Sequence, residues 1–177
     1  RNRGASVTLV LANSNLTDIA GIECIRVETA QQMHSALKER MSDCDVLVMT
    51  AAVADAKPAH LATDKIKKSE FNSIELVSNA DILADLSSQA KDSQVIVGFA
   101  AETTRIEEYG MQKLKSKNLD FIYVNDVSEG AIFSSDSSEG YLLSADGQST
   151  HITQTSKAKV ATVILDNVVS RLSYANG

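Results

Sequence analysis

The chain has 177 residues, 44% of them hydrophobic, which is enough for one sizeable core and short for two domains, so a single domain over 1–177 is expected. A net charge of -6 argues against a nucleic-acid or anionic-membrane partner, because gripping a phosphate backbone draws on many clustered Lys and Arg. The longest apolar run stops at Asp55, short of the ~20 residues a membrane span needs, and RNRGASVTLV carries no secretory cleavage pattern, so a cytoplasmic protein is expected.

Residues 1–4 (RNRG) read as the tail of a helix, since a glycine just past a helix end supplies the left-handed stop. The body of that helix and a strand before it are expected ahead of Arg1, which makes the chain an N-terminally truncated domain. Residues 7–12 (VTLVLA) form a first buried strand, 13–18 a loop, and 23–28 (ECIRVE) a second strand with alternating character. Thr29 is placed to cap a helix whose apolar face holds Met33, Ala36, Leu37 and Met41. Residues 46–54 (VLVMTAAVA) are apolar without alternation, as in a strand buried on both faces of a sheet. The run breaks at Asp55. Lys57-Pro58 forbids a continuing central strand, and 60–63 is loop before Lys65, Lys67 and Lys68 arrive together.

Residues 74–77 are a short strand, and Ser78 or Asn79 caps a helix with Ile82, Leu83 and Leu86 on its apolar face. Residues 94–101 (QVIVGFAA) are another apolar strand. Thr104 and Glu107 have capping-box spacing for the helix that follows, and 119–124 (LDFIYV) is a strand ending at Asn125-Asp126. Residues 128–140 are rich in Ser, Gly and acids, while 141–144 and 151–154 flank Ala145-Asp146-Gly147, a hairpin signal. Residues 157–172 place Val160, Val163, Ile164, Asn167, Val168 and Leu172 on one stripe of a terminal helix. Alternating strand and helix predicts an α/β fold, a mostly parallel sheet with helices on both faces and an antiparallel hairpin at its edge. Cys24 and Cys44 have no metal-like or redox-motif spacing and read as two unpaired thiols.

Ligands of open α/β sheets bind outside the carboxyl ends of the strands, and four stretches fall there. Small residues at 51–54 let a nucleotide or sugar approach the backbone, and Asp55 suits ribose hydroxyls, base amines or a metal-bound water; a strand packed by alanines with a solvated Asp reads equally well. Lys65, Lys67 and Lys68 around Ile66 suit a flap over a triphosphate, because an ammonium on a flexible stem follows a phosphate as it is cleaved. A lysine-blunted edge strand is the plainer alternative. The helix start at Asn79, Ala80 and Asp81 offers backbone N–H groups to an anion or a base edge, as every capped helix does. In GFAAET, Gly98 permits close approach and Phe99 offers a stacking face, with Lys113 and Lys117 one turn apart on the next helix, where cations also favour the dipole. Neither GxxxxGK[ST], GxGxxG, GxSxG nor HExxH occurs, and His34, His60 and His151 are scattered.

AAVAD at 51–55, DKIKK at 64–68, NADIL at 79–83, GFAAET at 98–103 and KNLDFIYVND at 117–126 stand in the order and spacing of the bacterial phosphopantothenate-cysteine ligases. The chain resembles that synthetase domain from about Arg3 to Leu172. The resemblance implies a Rossmann-like α/β fold with a dimerising sheet extension, working as a homodimer. It implies activation of the carboxylate of 4'-phosphopantothenate by CTP and Mg²⁺, giving an acyl-cytidylate and pyrophosphate, after which L-cysteine displaces CMP. It implies that the backbone of Met49, Thr50 and Ala51, with Asp55, holds the nucleotide. Lys65 then contacts the phosphates and assists activation as the catalytic residue, Ala80, Asp81, Ile82 and Leu83 surround the cytosine with Phe99, and Lys113 and Lys117 complete the CTP site. The metal ligands are not assigned. A flavin-dependent phosphopantothenoylcysteine decarboxylase often precedes such domains, and FMN is expected only with that fused partner.

The family's glycine-rich first strand, with its asparagine, lies ahead of Arg1. Ala56-Lys57 stands where the family usually has an aromatic and an arginine, and Ala80 where it has a proline. Two other classes stay open on the residues alone. One is an NAD(P)- or flavin-dependent oxidoreductase on a similar sheet, and the other a non-catalytic nucleotide-binding regulator whose lysines sense phosphate.

Overall fold

In the computed structural model, which describes residues 1–60, 64, 65, 67, 73–128 and 136–175, the chain divides into two units, 1–37 with 52–82 and 38–51 with 83–177. In the first unit β1 (Thr8–Ala12) and β2 (Glu23–Val27) pair in parallel. A parallel pair cannot be closed by a tight turn, and the connection leaves β1 through Asn13, whose φ of 49° lies in the left-handed region that Asn tolerates. The helix α1 (Ala30–Arg40) opens on a reciprocal cap. Thr29 Oγ1 accepts from the Gln32 amide at 3.2 Å while Gln32 Oε1 accepts from the amides of Thr29 and Glu28. β4 (Ala56–Pro58) and β5 (Leu76–Ser78) form a separate antiparallel ribbon, where a proline is tolerated at an edge.

The second unit is built on a five-stranded sheet in the order β3 (Val46–Met49), β6 (Val95–Glu102), β7 (Phe121–Asp126), β8 (Ser137–Ser144) and β9 (Ser149–Ser156). β3, β6 and β7 are parallel, and β8 and β9 are added antiparallel. The expected mixture of parallel core and antiparallel hairpin is therefore present, although β1 and β2 pair apart from this sheet. Between Arg40 and β3 a single 3-10 turn covers Met41–Asp43. Gln94, 6% exposed, locks that turn to β6: its amide nitrogen donates to the carbonyls of Met41 and Cys44, each at 2.6 Å, and its oxygen accepts from the Lys91 amide. Every polar atom of a buried amide finds a partner, as burial demands.

Alternation along β6 and β7 sends side chains to two faces. Val95, Val97, Phe121 and Tyr123 meet Val160, Ile164 and Val168 of α4 (Lys157–Ala175). On the opposite face Gly98 lies against Leu83 of α2 (Ile82–Ser88) and against Leu119 and Ile122, while Gly110 of α3 (Ile106–Ser116) sits on Val124 and Leu143. Val97, Val124 and Leu143 are fully buried, each contributing ~1.5–3 kcal/mol relative to exposure. Asp120 joins both strand starts to α4: Oδ2 accepts from the Ile96 amide at 2.8 Å and Oδ1 lies 3.4 Å from Arg171 Nε.

Four expectations need correction. The apolar run 46–54 is strand only over Val46–Met49, and Val48 is 40% exposed because β3 is the edge of its sheet; the small methyls of the alanines beyond add little burial to hold the run in a strand. The first hairpin strand, expected over 141–144, starts earlier as β8 at Ser137, where Ser138 accepts from Tyr123 and donates to Asn125. The Thr104–Glu107 box does not form. Arg105 occupies the cap position of α3 with φ 47° and no side-chain cap bond, while Glu107 accepts instead from Ser149 Oγ at 2.6 Å. Asn79 does not cap α2 either, because the helix begins only at Ile82, three residues on.

Gly140 is the tightest point of the sheet. A Cβ there would lie 2.1 Å from the backbone oxygen of Val124. Gly140→Ala must push β7 and β8 apart and is expected to cost ~1–3 kcal/mol, read as a lower urea midpoint with unchanged slope. An unchanged midpoint would show that the strands are not packed this closely.

Candidate nucleotide site

In the first unit the chain leaves the alanine-rich segment and returns to it through Asn79. The Asn79 amide donates to the Asp55 carbonyl at 2.8 Å, and its side-chain Nδ2 donates to the Ala54 carbonyl, also at 2.8 Å. Two of the expected stretches, Ala54-Asp55 and Asn79-Ala80-Asp81, are thus tied side by side. Asp55, Ala80's neighbour Asp81 and Lys65 are all exposed. Ile82 and Leu83 are 3% and 8% exposed, so only their backbone can meet a ligand. Ile66 and Lys68 of the expected flap lie outside the described residues; Lys65 and Lys67 are described and exposed.

The second unit gathers another group around the middle and carboxyl end of β6. Met49 is the register partner of Gly98, so Thr50 and Ala51 leave the sheet beside Phe99. Glycine at 98 gives room to two leucines: a Cβ would meet the Leu119 Cδ1 methyl at 2.7 Å and the Leu83 Cδ2 methyl at 3.0 Å, and both would have to shift. Phe99 turns its ring to the α4 face, edge-on to Tyr123 with centroids 5.6 Å apart, and is partly buried. Tyr123 itself is 3% exposed, and burial pushes its phenol above the ordinary value. Ser138 has one hydrogen and spends it on Asn125 Oδ1 at 2.6 Å, so the Tyr123 hydroxyl is the donor to Ser138 at 2.8 Å.

Lys113 and Lys117 stand at the end of α3. That end is a Schellman close: the Leu119 amide bonds the Leu114 carbonyl, the Asn118 amide bonds Lys115, and Asn118 takes the left-handed conformation with φ 50°. The Lys117 carbonyl also accepts from the buried Ser87 hydroxyl of α2. Lys113 Nζ is 2.7 Å from Glu102 Oε1 at the last residue of β6. Next to it in register is Asp126, whose carboxyl is held below the usual range by the hydroxyl and amide of Ser128.

Sequence reasoning did not single out Asn79 as a tether, Glu102, or the Tyr123–Ser138–Asn125 chain. A polar residue at a strand end is a signal for the last two, but their partners lie on other elements. Among the described residues no three His, Cys, Asp or Glu side chains are gathered to hold a metal ion. A Mg²⁺ carried on a triphosphate keeps mostly water and phosphate ligands. No helix of the described residues is long and apolar enough to cross a membrane.

Residues 1–172 match the model of the DNA/pantothenate metabolism flavoprotein C-terminal domain. The Coenzyme A biosynthesis bifunctional protein CoaBC of Mycolicibacterium smegmatis is 42% identical over 99% of this chain, which spans 45% of that relative's length. The crystal structure of the C-terminal domain of a CoaBC protein superposes with a TM-score of 0.80 at 32% identity, covering 99% of this chain and 78% of that one. A Cab2 H337A mutant, solved in complex with phosphopantothenate-cysteine, shares the fold with a TM-score of 0.67 at 17% identity, over 88% of this chain and 54% of its own.

Replacing Asn79 with Ala removes the hold on Ala54 at a cost of about 1 kcal/mol. Faster hydrogen exchange at the Asn79 amide and across residues 51–58 is expected, and unchanged exchange there would show that the tether does not order the segment. With motif order, fold and whole-length similarity in agreement, this chain belongs to the DNA/pantothenate metabolism flavoprotein C-terminal domain family.

Proposed function

We propose that the chain is the ligase domain of a coenzyme A biosynthesis enzyme, joining 4'-phosphopantothenate to L-cysteine at the expense of CTP. Whole-length membership of the family is the observation that carries this reading. A carboxylate does not condense with an amine directly, because oxide is a poor leaving group. In the proposed first step a carboxylate oxygen attacks the α-phosphorus of CTP, the bond to the β-phosphate oxygen breaks, and pyrophosphate leaves. In the second, the cysteine amine attacks the acyl carbon, CMP departs with the oxygen, and the amine proton is lost to solvent or base.

Within this reading Lys65 balances charge on the leaving pyrophosphate, where a mobile ammonium stabilises what develops in the transition state. Asp55 and the backbone of residues 49–51 hold the nucleoside, the 80–83 segment and the backbone of Phe99 border the base, and Lys113 and Lys117 bind phosphate. Mg²⁺ would supply further charge neutralisation. The domain would act as a homodimer in the cytoplasm, fused to or associated with an FMN-dependent decarboxylase that consumes its product.

The test is CTP-dependent pyrophosphate release by the full-length protein with 4'-phosphopantothenate. Lys65→Gln is expected to lower release by at least about 100-fold with an unchanged circular dichroism spectrum. Release at the wild-type rate would remove Lys65 from the chemistry, and no release by the wild type with CTP would overturn the ligase reading.

A further inference from the structure

Glu102 closes β6 on the face that α2 and α3 cover, the face of Ile96 and Gly98. Its carboxylate is 2.7 Å from Lys113 Nζ and is 19% exposed, against 46% for the lysine. Both partners stand on fixed backbone. The Glu102 carbonyl accepts from the Val127 amide at 3.0 Å, and the residue pairs in register with Asp126. The height of α3 is set by Gly110, whose missing Cβ would lie 2.5 Å from Val124, and its end is set by the Schellman close at Asn118.

Lys113 arises one turn beyond Gly110 toward the helix C-terminus, while the strand end it reaches is back beside the helix start. Helical side chains lean in that direction, but the last carbonyls of α3 compete for the same ammonium through the helix dipole. The Glu102 carboxylate decides the contest, because it is mostly withdrawn from water and forms a charge-assisted hydrogen bond. It occupies one of the three N–H donors of Lys113, leaving two for phosphate oxygens.

We propose that Glu102 is a positioning residue: it holds the Lys113 ammonium at the carboxyl end of β6, ready for the phosphates of a nucleoside triphosphate. The inference rests on the ligase reading above and adds a residue to it. Removing the carboxylate also removes a negative charge near the phosphates, so a purely electrostatic role predicts tighter nucleotide binding and a positioning role predicts weaker.

The experiment compares steady-state kinetics with CTP for the full-length wild type, Glu102→Ala, Glu102→Gln, Lys113→Met and the double variant Glu102→Ala/Lys113→Met. Glu102→Ala is expected to raise KM for CTP about tenfold with kcat within about twofold, and Glu102→Gln, which keeps an oxygen acceptor, to recover most of that loss. In the Lys113→Met background Glu102→Ala is expected to change nothing further, since the two act as one unit. An unchanged or lower KM in Glu102→Ala, or a loss that simply adds to that of Lys113→Met, overturns the proposal. Should Glu102→Ala fail to fold, Glu102→Gln in the two backgrounds decides on the same criteria. Absence of CTP-dependent turnover in the wild type is the separate result that sinks the ligase reading itself.

Discussion

The parallel pairing of β6 with β7 is the constraint on which the second unit depends. Parallel neighbours need a crossover, and here the crossover is α3, laid close on the sheet because Gly110 has no side chain to hold it off. The same pairing brings Ala101-Glu102 and Asn125-Asp126 to one end of the sheet. Small residues recur where elements touch: Gly98 under Leu83 and Leu119, Gly110 on Val124, Gly140 on the Val124 carbonyl. Close approach of a glycine backbone to its neighbours, side chains at Gly98 and Gly110 and backbone at Gly140, therefore serves packing first, and the carboxyl ends of β6 and β7 carry the polar Glu102, Asn125 and Asp126.

Polar side chains at element ends in both units are spoken for. Asp120 ties two strand starts to α4, Gln94 ties β6 to the turn before β3, Asn79 ties the 54–55 backbone to the approach to α2, and Glu102 holds Lys113. Exposed ion pairs contribute little, but a side chain that satisfies a backbone group or a half-buried charge also fixes geometry. A site for a highly charged substrate gains from that fixity, since charges already in place need no reorganisation when the reaction occurs.

The order of elements is legible in the sequence wherever apolar periodicity is strong, as in α4, β6 and β7, and the hairpin announces itself at Asp146-Gly147. Legibility fails where local signals compete with distant partners. Thr104 and Glu107 have the spacing of a cap, but Ser149, far along the chain, takes Glu107. Asn79 looks like a cap, but α2 begins three residues on at Ile82, and Asn79 Nδ2 donates to the Ala54 carbonyl. Ser137 and Ser138 sit in a stretch rich in Ser, Gly and acids, yet hydrogen bonds to Tyr123 and Asn125 make them strand. The alanines after Met49 extend an apolar run without extending a strand, because nothing in Ala distinguishes a packed strand from coil. The candidate site was readable as motifs in order, and the structure adds what order cannot contain: which polar groups are tied together within each unit.

The central claim is that the residues present here recognise a cytidine triphosphate. A calorimetric titration of the folded full-length protein with CTP and Mg²⁺, beside ATP and NAD, tests it most directly. The account predicts saturable CTP binding, at least about tenfold tighter than ATP and with no response to NAD, a preference of ~1.4 kcal/mol or more. Absent CTP binding, or equal binding of CTP and ATP, would contradict it.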